Sequence, residues 1–126
     1  MPPTILLIED ETCLLEEVAE WLELEGYQVI STTNGEDGIQ KARQHQPDVI
    51  LCDIVMPHLD GFGVLEALRQ HPSTVFIPLI FLTARAMRSD RESGLAAGAF
   101  AYITKAFGQT ELLQSLRACL NGAVRS

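Results

Sequence analysis

Basic residues are scarce in this sequence, and none occurs before Lys41. Nine Lys and Arg stand against 17 Asp and Glu, for a formal charge of −8. Nonspecific affinity for nucleic acid, and for anionic membrane through a polybasic patch, comes mostly from Lys and Arg. Neither a direct nucleic-acid role nor a membrane role is therefore expected of this domain. Cysteine is sparse as well: Cys13, Cys52 and Cys119 lie far apart and form no CxxC. Three cannot all pair within one chain, so neither a disulfide framework nor a zinc ribbon is indicated. The three read as small buried or semi-buried side chains in a reducing compartment. Long apolar runs are absent. Ile5–Ile8 is too short for a signal segment or a membrane span, and Met1-Pro2-Pro3-Thr4 has no basic region or cleavage site. These absences point to a soluble, cytoplasmic protein. No repeat, low-complexity tract or linker breaks the chain. Its 126 residues, 47% apolar, suit one ordinary globular domain.

What is present alternates regularly. The apolar run Ile5–Ile8 leads into Glu9-Asp10-Glu11, then into Leu14, Leu15, Val18 and Leu22 at helical spacing. Gly26 ends that helix, and Tyr27–Ile30 reads as a strand. Asn34-Gly35 opens a short helix through Ala42. Asp48–Asp53 reads as a strand buried on both faces, closed by an acid. Phe62–Gln70 is a predicted helix and Pro78–Thr83 a buried strand. Arg88–Ala97 is a helix ended by Gly98, Phe100–Thr104 a fifth strand, and Gln109–Leu120 a last helix. A (βα) unit repeated five times implies an α/β fold with a parallel sheet covered on both faces, a three-layer sandwich. The core is expected over about residues 4–120, with 121–126 a tail or the start of a linker. His45, His58 and His71 fall in loops at no metal spacing and read as surface residues.

In an open parallel sheet, sites form beyond the carboxyl ends of the strands. There the first strand delivers Glu9, Asp10 and Glu11, the third Asp53, the fourth Thr83, and the fifth Thr104 and Lys105. The second delivers only Thr32 and Thr33. Clustered carboxylates repel unless a cation joins them, and Mg²⁺ fits an all-oxygen set best. Each residue alone has an ordinary structural role: acids favour helix starts, Thr83 can cap a helix, and Lys105 and Tyr102 can be surface charge and packing. The joint arrangement carries the specificity. The acids Glu16, Glu17, Glu20, Glu23 and Glu25 belong instead to the solvent side and end of the first helix.

These motifs resemble the receiver domain of bacterial two-component response regulators. The resemblance runs from Thr4 to about Leu120. It rests on Ile5-Leu6-Leu7-Ile8-Glu9-Asp10-Glu11, on Asp53-Ile54-Val55-Met56-Pro57 with Asp60-Gly61, on Leu82-Thr83-Ala84, and on Tyr102-Ile103-Thr104-Lys105. It implies a CheY-like, flavodoxin-like doubly wound fold with the five-stranded sheet in order 2-1-3-4-5, making 1–126 a single receiver domain. It implies Asp53 as phosphoacceptor, and Asp10, Asp53 and the Val55 main-chain carbonyl as Mg²⁺ ligands, with Glu9 nearby or acting through water. Lys105, Thr83 and the Ala84 amide would bind the phosphoryl oxygens. Thr83 and Tyr102 would form the switch, Tyr102 turning inward when Thr83 moves, while Val55 and Arg85 would tune phosphoryl lifetime. The implied partners are a sensor histidine kinase or phosphotransfer protein, and an output domain or protein at the surface of the fourth helix, fifth strand and fifth helix. The chain would not be an enzyme in the usual sense, but a phosphoacceptor that supports its own Mg²⁺-dependent phosphorylation and dephosphorylation.

Two departures stand out. Relatives usually carry Pro after the lysine, with a cis bond between them; here the pair is Lys105-Ala106. A non-proline cis bond costs ~3 kcal/mol or more, so either that bond survives under strain or it turns trans and Lys105 is held less well. Many relatives also have two acids where Phe100 and Ala101 stand. Their absence argues against the salt-bridged receiver dimer of the winged-helix branch, and Phe100 is expected to pack inward. Rival classes fit less well. A haloacid-dehalogenase-like phosphatase wants a carboxylate two residues after its nucleophile, where this chain has Val55. A nucleotide-binding module wants GxxxxGK[ST] or GxGxxG after the first strand, where acids stand. A degenerate receiver, acting as a phosphorylation-independent interaction module, has only Ala106 in its favour.

Overall fold

Strands that are covered on both faces lose the alternation of a half-exposed sheet, which is why they read as unbroken apolar runs. In the computed structural model, which describes residues 2–105 and 108–125, β1 (Thr4–Ile8), β3 (Val49–Cys52) and β4 (Leu79–Thr83) are of this kind. β2 (Gln28–Thr32) and β5 (Ala101–Thr104) flank them as shorter or more exposed edges. All pairings are parallel, in the order β2-β1-β3-β4-β5, as the receiver resemblance implies.

Alternate residues of each strand feed two cores. Ile5, Leu7, Val49, Leu51, Ile80, Leu82 and Ile103 face the first. They pack against α1 (Thr12–Leu24) through Leu15, Val18 and Leu22, and against α5 (Gln109–Arg125) through Leu112, Leu113, Leu116 and Cys119. Leu6, Ile8, Ile50, Cys52, Leu79 and Phe81 face the second. There α2 (Gly35–His45) contributes Ala42, and α3 (Gly61–Arg69) contributes Val64, Leu65 and Leu68. The remaining helix, α4 (Arg88–Ala96), buries only Gly94. That glycine lies under the Tyr102 ring: a Cβ added there would sit 2.7 Å from Tyr102 Cδ2 and 3.2 Å from Phe81 Cδ2.

Several expectations are corrected. α5 runs on to Arg125 past Leu120, because the apolar period of the sequence ends there while helix propagation needs only one more bond per residue. α2 likewise continues to His45, which is therefore helical and not in a loop. Left-handed Gln46 (φ 48°) caps it, with the side-chain amide donating to the Ala42 and Arg43 carbonyls. β2 begins at Gln28 and extends to Thr32, since pairing with β1 continues to the Ile8–Thr32 register. Phe100 does not pack inward: it is 45% exposed just before β5, beside Gly122 of α5. Cys13 is exposed in the first turn of α1, whereas Cys52 and Cys119 are buried. The acids Glu16, Glu17, Glu20, Glu23 and Glu25 all face solvent.

Candidate functional site

Parallel pairing brings the ends of β1, β3 and β5 to one edge of the sheet, and the chemistry-bearing residues follow directly after them. Ile8 pairs with Cys52, so Glu9 and Asp53 leave the sheet side by side. Both are buried, with 1% and 2% of their surfaces exposed, while Asp10 is exposed. One oxygen from each of Glu9, Asp10 and Asp53 lies within 4.8 Å of the others. No other such cluster of His, Cys, Asp or Glu occurs among the described residues.

Lys105 reaches this cluster from the end of β5. Its ammonium lies 3.1 Å from Asp53 Oδ2, 3.1 Å from Glu11 Oε1 and 3.3 Å from Glu9 Oε1. The Lys105 amide donates to the Thr83 carbonyl (2.7 Å), which fixes the start of its side chain beside β4. Burial by itself would lower the Lys105 pKa. The hydrogen bonds to Asp53 and Glu11, with the Asp53 and Glu9 charges, outweigh it and hold the ammonium above its ordinary range. Glu9 is pushed up to about 7, first by burial and then by the Asp53 charge, against the lowering effect of the Glu11 amide and Lys105. The Glu11 amide donates to Glu9 Oε2 (3.0 Å), whereas Glu9 Oε1 is buried and accepts no hydrogen bond.

These residues fit a hard divalent cation. Oxygens on opposite sides of an octahedral Mg²⁺ are separated by ~4.2 Å, and the three carboxylate oxygens lie within 4.8 Å of one another. Glu9 Oε1 has the Lys105 ammonium 3.3 Å away but accepts no hydrogen bond, so it keeps lone pairs that a metal cation would satisfy. The loop after β3 is held firmly. Gly61 N donates to the Ile54 carbonyl (2.9 Å), and a Cβ at Gly61 would come 2.5 Å from the Asp53 carbonyl oxygen. Only glycine lets α3 begin this close to the Asp53 backbone. Within the same loop the Val55 amide donates to Asp53 Oδ1 (3.3 Å), and the Val55 side chain is 54% exposed.

Thr83 ends β4 fully buried, and its hydroxyl accepts from the Arg85 amide (3.3 Å). Ala84 and Arg85 follow it in the open. The Tyr102 ring is already turned inward and buried, edge-on to Phe81 at 6.3 Å between centroids, so the inward turn expected of it when Thr83 moves is complete here, Gly94 leaving room for the ring. Its hydroxyl donates to the Arg85 carbonyl (2.7 Å), and Arg91 donates to the Tyr102 carbonyl (2.9 Å). Sequence reasoning did not find the contacts of Glu11, Gly94 and Arg91, and no local pattern marks them. His45 and His58 are exposed and His71 is partly so. The peptide bond between Lys105 and Ala106 lies outside the described residues; among those described no peptide bond is cis. No helix among them is long and apolar enough to cross a membrane.

Comparison with known proteins agrees with this geometry. Residues 5–117 match the family model described as response regulator receiver domain. Protein PilH of Pseudomonas aeruginosa is 38% identical over 118 residues, which cover 94% of this chain and 98% of PilH. The phosphate regulon transcriptional regulatory protein PhoB of Rhizobium meliloti is 36% identical, over 98% of this chain and 54% of PhoB. The chain thus spans about half the length of the transcriptional regulators it matches. Chemotaxis protein CheY4 of Vibrio cholerae has the same fold, with a TM-score of 0.89 and 28% identity over 95% of this chain and 100% of that one.

Proposed function

The chain belongs to the response regulator receiver domain family of two-component systems, and from that premise we propose that Asp53 accepts a phosphoryl group from a phosphohistidine on a partner kinase or phosphotransfer protein. Receiver domains bind Mg²⁺ at an acidic pocket, and Glu9, Asp10 and Asp53 form such a group here. The observation that carries the proposal is the position of Asp53. Its carboxylate is buried at the sheet edge, 3.1 Å from the Lys105 ammonium and within reach of two further carboxylates.

Asp10, Asp53 and the Val55 carbonyl would hold the metal, with Glu9 beside it or linked through water. When bound, Mg²⁺ supplies positive charge to the transferring phosphoryl oxygens. The chain's own residues do the rest. Asp53 attacks in line, forming a P–O bond as the P–N bond of the phosphohistidine breaks. Lys105 takes one phosphoryl oxygen, and the Thr83 hydroxyl and Ala84 amide take others. Catalysis is then placement and charge neutralisation, since the transition state spreads charge over three equatorial oxygens. Water later removes the phosphoryl group, and the exposed side chains of Val55 and Arg85 flank its path and tune the rate. Self-phosphorylation and self-dephosphorylation are part of this proposal; the chain acts on no separate substrate.

The product dianion draws the Thr83 hydroxyl away from the Arg85 amide. That loosens the segment whose carbonyl holds the Tyr102 hydroxyl and biases the surface of α4, β5 and α5. The exposed side chains of Leu95 and Phe100 on this surface would meet an output domain or partner protein. Residues 4–120 would form the core of a single receiver domain acting in the cytoplasm.

The test is incubation with Mg²⁺ and acetyl phosphate, followed by intact mass. Wild type should gain one phosphoryl group and Asp53→Asn none. No gain in wild type, under conditions where a known receiver reacts, would refute phosphotransfer and favour a phosphorylation-independent interaction module.

A further inference from the structure

Lys105 holds one more carboxylate than phosphoryl transfer to Asp53 needs. An ammonium has three N–H donors and no acceptor. Asp53 Oδ2 lies 3.1 Å from Nζ, Glu11 Oε1 3.1 Å, and the Glu9 oxygens 3.3 and 3.4 Å. Three carboxylates therefore occupy all three donors, and one must leave before a phosphoryl oxygen can bind. The cost of leaving differs sharply. In the metal-free chain the Glu9 and Asp53 side chains are 1% and 2% exposed, so a carboxylate abandoned there stays desolvated and unpaired, and only a bound cation, not water, can replace its bond. The Glu11 side chain is 63% exposed, and water replaces its bond at once.

We propose that Glu11 is a positioning residue that holds Lys105 in the resting chain and competes with the phosphoryl group for its third N–H. Its backbone suits the role. Glu11 occupies the N-cap position of α1, its amide is tied to Glu9 Oε2, and its side chain makes no capping bond to the helix. The carboxylate is instead committed to a lysine 94 residues away in sequence. Release of Glu11 frees a donor already aimed at the site and removes a negative charge from the approach of an anionic donor. Both effects favour faster phosphorylation once Glu11 is neutralised. Exposed ion pairs shift equilibria by up to about fivefold, and a nearby unit charge in water adds about two- to threefold.

This inference rests on the proposed role of Asp53. Its test compares wild type, Glu11→Gln, Glu11→Ala and Glu16→Gln in the 126-residue chain with Mg²⁺ and acetyl phosphate. Glu16 is an exposed acid of the same helix. Initial phosphorylation should be about three- to tenfold faster in both Glu11 variants, with Glu16→Gln close to wild type. In metal-free protein, the Lys105 ε-methylene resonances should shift with Glu11→Gln and stay in place with Glu16→Gln. Glu11 variants no faster than wild type, Glu16→Gln equally fast, or unmoved Lys105 resonances would each overturn the inference alone. Absence of phosphoryl uptake by wild type would instead remove the Asp53 reading, and this inference with it.

Discussion

Replacing Glu9 by Gln should stabilise the metal-free chain at pH 8 and give no gain at pH 5. Glu9 is almost wholly buried beside Asp53, and its carboxyl is pushed up to about 7 from an ordinary value of 4.5. The folded chain thus binds a proton there that the unfolded chain has lost. This contribution to stability is fully present below about pH 4.5 and disappears as pH rises through about 7. A gap of about 2.5 pH units at 1.36 kcal/mol each corresponds to about 3 kcal/mol. The amide avoids that cost but loses the Glu9 contact with Lys105, so the net gain at pH 8 should be about 1–3 kcal/mol. Urea unfolding in EDTA at both pH values measures it, as a midpoint increase of about 1 M at pH 8. Mg²⁺ added at pH 8 should then raise the wild-type midpoint more than that of Glu9→Gln. A variant equally destabilised at both pH values would refute the reasoning, because burial of an ionised Glu9 would then cost nothing.

Two further perturbations probe packing around the site and beneath it. Gly94→Ala places a Cβ 2.7 Å from the Tyr102 ring, so it should cost ~1–3 kcal/mol by overpacking and displace the ring. Denaturant unfolding reads the cost, and the Tyr102 ring proton shifts read the displacement. Leu116→Ala empties a fully buried position between α5 and the sheet and should cost about 2–5 kcal/mol. Its effect should be global, with the unfolding midpoint falling while Asp53 phosphorylation of the folded fraction is retained.

Much of the site was legible in the sequence because burial leaves a local mark. Val49–Cys52 is apolar without alternation, and Asp53 follows where such a strand must end, so its special position could be seen without coordinates. Glu9 and Asp10 after β1 carry the same signature. The errors fall where that mark fades. Beyond Leu120 the apolar period ends, nothing in the pattern tells α5 to stop or continue, and it continues to Arg125. Phe100 looked like core by its chemistry alone, yet its position beside Gly122 leaves nearly half of it in solvent.

By itself the sequence determined the alternation of strands and helices, the two-sided burial of the central strands, and the placing of acids, threonine and lysine at one edge of the sheet. All of these follow from periodicities and strand ends a few residues long. The tertiary structure alone decided that Lys105 shares its three donors among Glu9, Glu11 and Asp53, and that the Tyr102 ring lies inward over Gly94. Those outcomes depend on distances between atoms that the chain path brings together from as far as 96 residues apart. A charge pair or a ring contact is set by ångströms, and no local sequence pattern encodes that separation.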